Sequence, residues 1–179
     1  SGHFCEEESY ETFMHQSDSN LGTIDSLISE TFHSAVLDSG ATKTVAGKIW
    51  YDEYLAILSD EDKKKVTTNT TKSVFKFGDG RGVKSLENVN IPVVIGRNKV
   101  QVNVEIVDEN ILLLLSKKSM EKANMKLDFA TNSIEVFYEN IKLFETKFGH
   151  YALPLTPAGQ VLNKSDNNSN QHFTLTVLN

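Results

Sequence analysis

Apolar and polar residues alternate in short runs along most of this chain, with the two-residue period of strands rather than the longer period of helices. Residues 28–37 alternate β-branched and aromatic side chains with polar ones and predict a strand broken at Asp38-Ser39-Gly40. Val74-Phe75-Lys76-Phe77 and residues 83–89 flank the glycine-rich Gly78-Asp79-Gly80-Arg81-Gly82 and predict a hairpin with that stretch as its tip. Residues 91–95 and 100–107 predict a strand pair around Gly96-Arg97-Asn98. Residues 125–129 and 133–138 predict another over Ala130-Thr131-Asn132, and 141–146 and 151–155 read as further strands. The run Ile111-Leu112-Leu113-Leu114-Leu115 has the length of one buried strand, and Ser116 after it is placed to cap a short helix over 117–123. One longer stretch, 48–58, carries Ile49, Trp50, Tyr54, Leu55 and Leu58 at helical spacing, with Trp50 read as core. The charged residues 60–65 read as a solvated turn.

Many short strands, little helix and no strand–helix alternation predict an all-β, barrel-like domain with one short helix. Residues 1–20 are acidic and lack apolar periodicity, and read as a flexible lead-in. The domain is expected over 21–157. After Pro157 the composition turns to Asn, Ser and Asp, so 158–179 reads as a polar linker and tail with a last β-prone stretch at 173–178.

Charge and composition narrow the functions. The net charge of −6 comes from interspersed signs with no basic stripe, which argues against a nucleic-acid module. No apolar run approaches the roughly 20 residues of a membrane span. The single cysteine, Cys5, rules out a disulfide within the chain and favours a reducing, cytoplasmic setting. The five histidines have no metal-ligand spacing, so neither a metal nor a cofactor is expected. Gly78 to Gly82 lacks the Lys-Ser/Thr of a phosphate loop, and Asp108-Glu109-Asn110 reads as a solvated turn.

The informative stretch is Ala35-Val36-Leu37-Asp38-Ser39-Gly40-Ala41-Thr42. An apolar strand delivers a carboxylate into a tight turn whose glycine lets the backbone come close. Peptide hydrolysis by two carboxylates uses such a delivery: one draws a proton from water while the other, protonated, donates to the carbonyl oxygen. Carboxylates about 3 Å apart cannot both ionise and share one proton. The triplet Asp38-Ser39-Gly40 alone is weak, because ordinary strand-end turns carry such triplets. It occurs once in this chain, so a catalytic role for Asp38 requires a second copy of the chain and a site on a two-fold axis.

Residues 35–42 resemble the active-site loop of retropepsins, the aspartic proteases of retroviruses and LTR retrotransposons. Phe75 to Gly82 resembles their flap, Ile111 to Met120 their second apolar strand and following helix, and Met125 to Phe129 with Ser133 to Val136 their closing hairpin. The order and rough spacing agree over about residues 29–137. Phe77-Gly78-Asp79-Gly80, Leu113 to Lys118 and Gly149-His150-Tyr151 are most similar to retrotransposon polyprotein proteases.

The resemblance implies a homodimeric aspartic endopeptidase that cleaves its own Gag-Pol-type polyprotein in the cytoplasm or in virus-like particles. Asp38 would be catalytic, with Ser39, Gly40, Ala41 and Thr42 as the active-site loop. Phe77, Gly78, Asp79, Gly80, Arg81 and Gly82 would be the substrate-binding flap, and Leu114, Leu115 and Ser116 the second apolar strand. Retroviral enzymes carry Gly then Arg after that strand, and an Asp beyond the catalytic loop pairs with the Arg; here those positions are Ser116, Lys117 and Thr42, so that ion pair is absent. Residues 50–65 read as an insertion, and 151–155 as the candidate replacement for the family's C-terminal dimer strand. The departure at Ser116 leaves a second reading, a catalytically silent retropepsin-like dimerisation or binding module.

Overall fold

The computed structural model describes residues 34–76, 80–155 and 176–178. The expected lead-in over 1–20, the start of the first strand and the linker up to residue 175 lie outside the described residues. The described residues are mostly β with three helices.

The core is one large sheet. Strand β1 (Ser34–Asp38) has antiparallel β12 (Tyr151–Pro154) on one side and parallel β7 (Leu114–Ser116) on the other. Strand β2 (Val45–Gly47) lies beyond β7, pairing antiparallel with it at Val45 and parallel with β6 (Asn98–Val107). A strand from late in the chain thus sits between two consecutive early ones. The connection 39–44 must therefore arch over the end of β7, and this crossing builds the candidate site.

Strand β5 (Gly82–Ile95) runs antiparallel to β6 and carries β3 (Thr67–Asn69) and β4 (Val74–Lys76) on its outer side. The sequence predicts two strands here, at 83–89 and 91–95. They form one because Pro92 does not interrupt the ladder. The Pro92 carbonyl accepts from the Tyr54 hydroxyl at 2.7 Å, so that edge, where the proline nitrogen also points, faces away from β6. A register shift between Ser85 and Glu87 leaves Leu86 as a bulge residue, 54% exposed. At the far edge, β11 (Phe144–Glu145) pairs with β12, while β13 (Thr176–Leu178) pairs parallel with β6 at 100–102. A separate three-stranded sheet comprises β8 (Lys126–Asp128), β9 (Ser133–Val136) and β10 (Glu139–Lys142).

Helix α1 (Lys48–Ile57) follows the helical spacing of its sequence. It buries Trp50, Tyr51 and Tyr54, and the Trp50 and Tyr54 rings stack with centroids 4.9 Å apart. The expectation of a solvated turn over 60–65 is corrected. Ser59 caps a short helix α2 (Asp60–Lys63) by accepting from the Asp62 backbone N–H at 3.1 Å. Asp62 is buried and bridges to Lys65 at 3.2 Å. The third described helix, α3 (Lys117–Lys122), is capped by Ser116 as expected, so α2 is the helix that the sequence reading did not place.

Strand β9 ends at Val136, before the expected 138. Phe137 and Tyr138 form the turn into β10 with φ values of 50° and 63°. Strand β12, considered above for a dimer strand, pairs within the chain with β1 at 152–154 and with β11 at 151–152.

Candidate active site

Asp38 is the last residue of β1 and is half-buried. The residues leading to it, Ala35 and Val36, are buried completely between β12 and β7, so the strand end has little freedom. Gly40 donates its N–H to Asp38 Oδ1 at 3.0 Å, and Ala41 donates to the Asp38 carbonyl at 3.2 Å, closing the tight turn. The carboxylate is thereby held by its own loop. Ser39 is exposed at the crest of the turn, and Ala41 is buried beneath it.

The arch is fastened to β7 and α3. Register sets Leu37 beside Leu115 and Asp38 beside Ser116, and the Ala41 carbonyl accepts the Lys117 N–H at 3.1 Å. Beneath it lies a ring of three buried hydroxyls. Thr44 donates to Ser116 Oγ at 3.2 Å, Ser116 donates to Ser119 Oγ at 3.1 Å, and Ser119 and Thr44 are 2.9 Å apart. The ring also receives two backbone donors, the Ser116 N–H on Thr44 Oγ1 at 3.0 Å and the Ser119 N–H on Ser116 Oγ at 3.2 Å. Every member is satisfied, which makes a buried polar cluster stabilising rather than costly. The structure brings together Asp38, Ser39, Gly40, Ala41 and Thr42 with Leu114, Leu115 and Ser116, the last serving as both strand end and helix cap.

Thr42 also borders a cleft of about 390 Å³ lined by Lys43, Thr44, Asn103, Glu105, Ser116, Lys118 and Ser119. Glu105 is buried at 6% exposure and is satisfied by four donors. Its Oε1 accepts from Thr71, Ser73 and Asn88 at 3.0–3.1 Å, and its Oε2 from Ser85 at 2.6 Å. Lys43 donates to Ser73 at 2.7 Å, which links the active-site arch to this network. The Lys117 ammonium meets Glu121 one turn along α3, at 3.7 Å.

The two strands expected to flank the glycine-rich stretch pair with each other. Val74 pairs with Lys84, Phe75 with Val83 and Lys76 with Gly82. Phe77, Gly78 and Asp79 lie outside the described residues. Phe75 anchors the hairpin base in the core, and at the tip Gly80 has φ +78° with open space where a Cβ would be. Arg81 bonds Glu109 at 2.7 Å, so Asp108-Glu109-Asn110 is a docking point for the hairpin as well as a surface turn.

His150 is the residue that sequence reasoning quoted without a role. His150 precedes β12, whose pairing with β1 runs from Ser34–Pro154 to Val36–Ala152. Burial lowers the His150 pKa below its usual value, and the Asp38 charge opposes that shift. Thr44, Ser119 and Glu105 were missed as well. Their roles depend on partners as far as 75 residues away, which no local pattern reveals. Among the described residues, no group of three or more His, Cys, Asp or Glu side chains is arranged to hold a metal ion. No described helix is long and apolar enough to cross a membrane.

No family model matches this chain, and no curated protein sequence is significantly similar to it. Among solved structures, the chain is similar to the retroviral protease-like domain of Ddi1 from Leishmania major. The TM-score is 0.35 with 14% identity, over 70% of this chain and 85% of that one.

Proposed function

We propose that this protein is a retropepsin-like aspartic endopeptidase of an LTR-retrotransposon polyprotein, working as a homodimer on peptide bonds of that polyprotein. The observation that carries the reading is the seating of Asp38: a carboxylate at the end of a buried strand, oriented by the Gly40 N–H at 3.0 Å, on an arch locked by the Thr44–Ser116–Ser119 ring. Preorganisation of this kind suits a group that must meet a second carboxylate closely.

In the dimer, the Asp38 carboxylates of two chains share one proton. The ionised member takes a proton from water as the water attacks the scissile carbonyl carbon. The protonated member gives its proton to the carbonyl oxygen, and collapse of the tetrahedral intermediate passes a proton to the leaving amide nitrogen. Ala41 and Thr42 contact substrate backbone, and the hairpin tip at Phe77, Gly78, Asp79, Gly80, Arg81 and Gly82 clamps the peptide in extended form. No metal or cofactor takes part, and the setting is cytoplasmic, including virus-like particles. Ser116 supports catalysis rather than silence, because its hydroxyl is absorbed into the ring that holds the arch.

The test is cleavage of a precursor carrying this chain and its flanking sequences, at mildly acidic pH, with and without pepstatin and beside Asp38→Asn, with sedimentation to establish the dimer. Cleavage abolished by the substitution and by pepstatin supports the protease. A confirmed dimer with no turnover at any pH overturns it in favour of a silent dimerisation module.

A further inference from the structure

The arch that carries Asp38 runs directly into β2, and the glycine-rich hairpin runs into the long strand β5. Strand β6 lies between β2 and β5, and one of its residues bonds to both sides. The Glu105 N–H donates to the carbonyl of Thr44, the last residue before β2, at 2.9 Å. Its buried carboxylate receives Thr71, Ser73, Ser85 and Asn88, and so holds both sides of the hairpin base. Ser73 and Ser85 mark that base. The Ser85 N–H donates to the Ser73 carbonyl at 2.9 Å, one step beyond the Val74–Lys84 pair. From there the bonds return to the arch. Lys43 Nζ donates to Ser73 Oγ at 2.7 Å, and Ser73 Oγ donates to Glu105 Oε1 at 3.0 Å.

A strand interior needs no carboxylate at this place. Glu105 sits between Val104 and Ile106, both wholly buried, and burying a carboxylate costs more than burying an apolar side chain of similar volume. What the carboxylate adds is a fixed relation between the arch and the hairpin base, whose linked residues Lys43 and Ser73 are 30 positions apart. We propose that Glu105, acting through Ser73 and Lys43, is the positioning residue that holds the hairpin in register over the Asp38 arch and so fixes the gap that takes the peptide. This deepens the protease reading and rests on it for the consequence on substrate alone. The coupling of hairpin to arch rests on the bonds themselves. Glu105 touches no reacting atom. Hairpin and arch grip the peptide in substrate and transition state alike, so loosening their relation weakens uniform binding and raises KM.

Two measurements test this. The first needs no activity: amide hydrogen exchange of Gly40 and Ala41, the donors that close the Asp38 turn, read in the full chain against exchange in β6. Exchange is expected to rise about fivefold, the worth of one hydrogen bond, in Ser73→Ala and in Lys43→Met. Lys43 is exposed, so its substitution leaves the core intact. Ser73→Thr keeps the hydroxyl and is expected to match wild type. Ser85→Ala takes a donor from the same carboxylate but leaves the Lys43–Ser73 link, and is expected to leave Gly40 and Ala41 unmoved. Exchange that moves equally in Ser73→Ala and Ser85→Ala, or in none of the variants, overturns the coupling. The second measurement separates kcat from KM for precursor cleavage. Ser73→Ala and Lys43→Met are expected to raise KM about fivefold with kcat within about twofold, and Ser73→Thr to restore KM. A destabilised protein has fewer active molecules, which lowers kcat and spares KM, so a loss confined to kcat overturns the role on substrate, as does an unmoved KM. A protein that never cleaves, yet whose Gly40 and Ala41 exchange faster in Ser73→Ala and not in Ser85→Ala, keeps the coupling and loses only the protease.

Discussion

Thr44 and Ser116 are joined twice. The Thr44 hydroxyl accepts the Ser116 backbone N–H at 3.0 Å and donates to the Ser116 hydroxyl at 3.2 Å, across 72 residues of sequence. The two residues lie on opposite ends of the crossing between the active-site arch and β7, so the pair fixes the loop carrying Asp38 to the strand beside it.

Thr44→Val keeps shape and volume but removes the acceptor of a buried N–H and opens the ring. It is expected to destabilise the protein by about 2 kcal/mol, the cost of an unsatisfied buried donor. Thr44→Ser, which keeps the hydroxyl, is expected to lose less than half of that. Urea unfolding of the three proteins checks the order.

Asp38→Asn is expected to leave stability within about 0.5 kcal/mol of wild type, since the Asn side-chain oxygen still accepts the Gly40 N–H that Asp38 accepts at 3.0 Å. Matching thermal midpoints, alongside lost cleavage, separate a chemical role from a structural one. A fall of several degrees means that the charge itself holds the arch.

Gly47→Ala is expected to prevent folding or lower stability by more than about 3 kcal/mol. A Cβ there would overlap the Glu109 carbonyl oxygen and lie 2.7 and 2.9 Å from the Ile111 carbonyl oxygen and nitrogen, all backbone atoms that cannot swing aside. Soluble yield and circular dichroism read the outcome.

Glu105→Gln replaces a carboxylate serving four donors with a group that offers one oxygen and two N–H bonds, so at least one hydroxyl or amide loses its acceptor. The expected loss is about 2 kcal/mol, with faster hydrogen exchange in β4 and the adjoining part of β5 as the local readout.

Stability is expected to fall in alkali above pH 10. Burial first, and then the Asp62 carboxylate, push the Tyr54 hydroxyl far above its usual pKa; burial, Glu87 and Asp52 push Tyr51 up to about 12. Both raised values favour the neutral phenol in the folded state. Their contribution is therefore whole below the unfolded value of about 10 and is lost as pH climbs towards the folded values. Tyr54→Phe is expected to flatten this decline and to cost about 1 kcal/mol at neutral pH through the orphaned Pro92 carbonyl. Urea midpoints from pH 8 to 12 test both effects.

Local patterns made much of this protein legible. The helix at Trp50 and Tyr54, the hairpin around Gly80, the Ser116 cap and the turn after Asp38 each depend on residues within a few positions of one another. Misreadings came where a distant partner overrides composition. The charged residues 60–65 look solvated, yet Asp62 is buried against Lys65. Residues 83–89 and 91–95 read as two strands, yet they form one, with the outward edge of Pro92 meeting Tyr54. Phe137 and Tyr138 are poor turn residues by propensity, yet they take φ values of 50° and 63° between β9 and β10.

The sequence by itself determined the strand-rich class, the Asp-Ser-Gly turn and the need for a second chain if Asp38 is catalytic, because strand period, turn chemistry and a residue count are all local. Tertiary structure alone decided that β7 enters between β1 and β2 and that three hydroxyls from two segments close a ring under the arch. These pairings join residues that burial and register select over long loops, and the cost of closing such loops grows too slowly with length for sequence distance to forecast which partner wins.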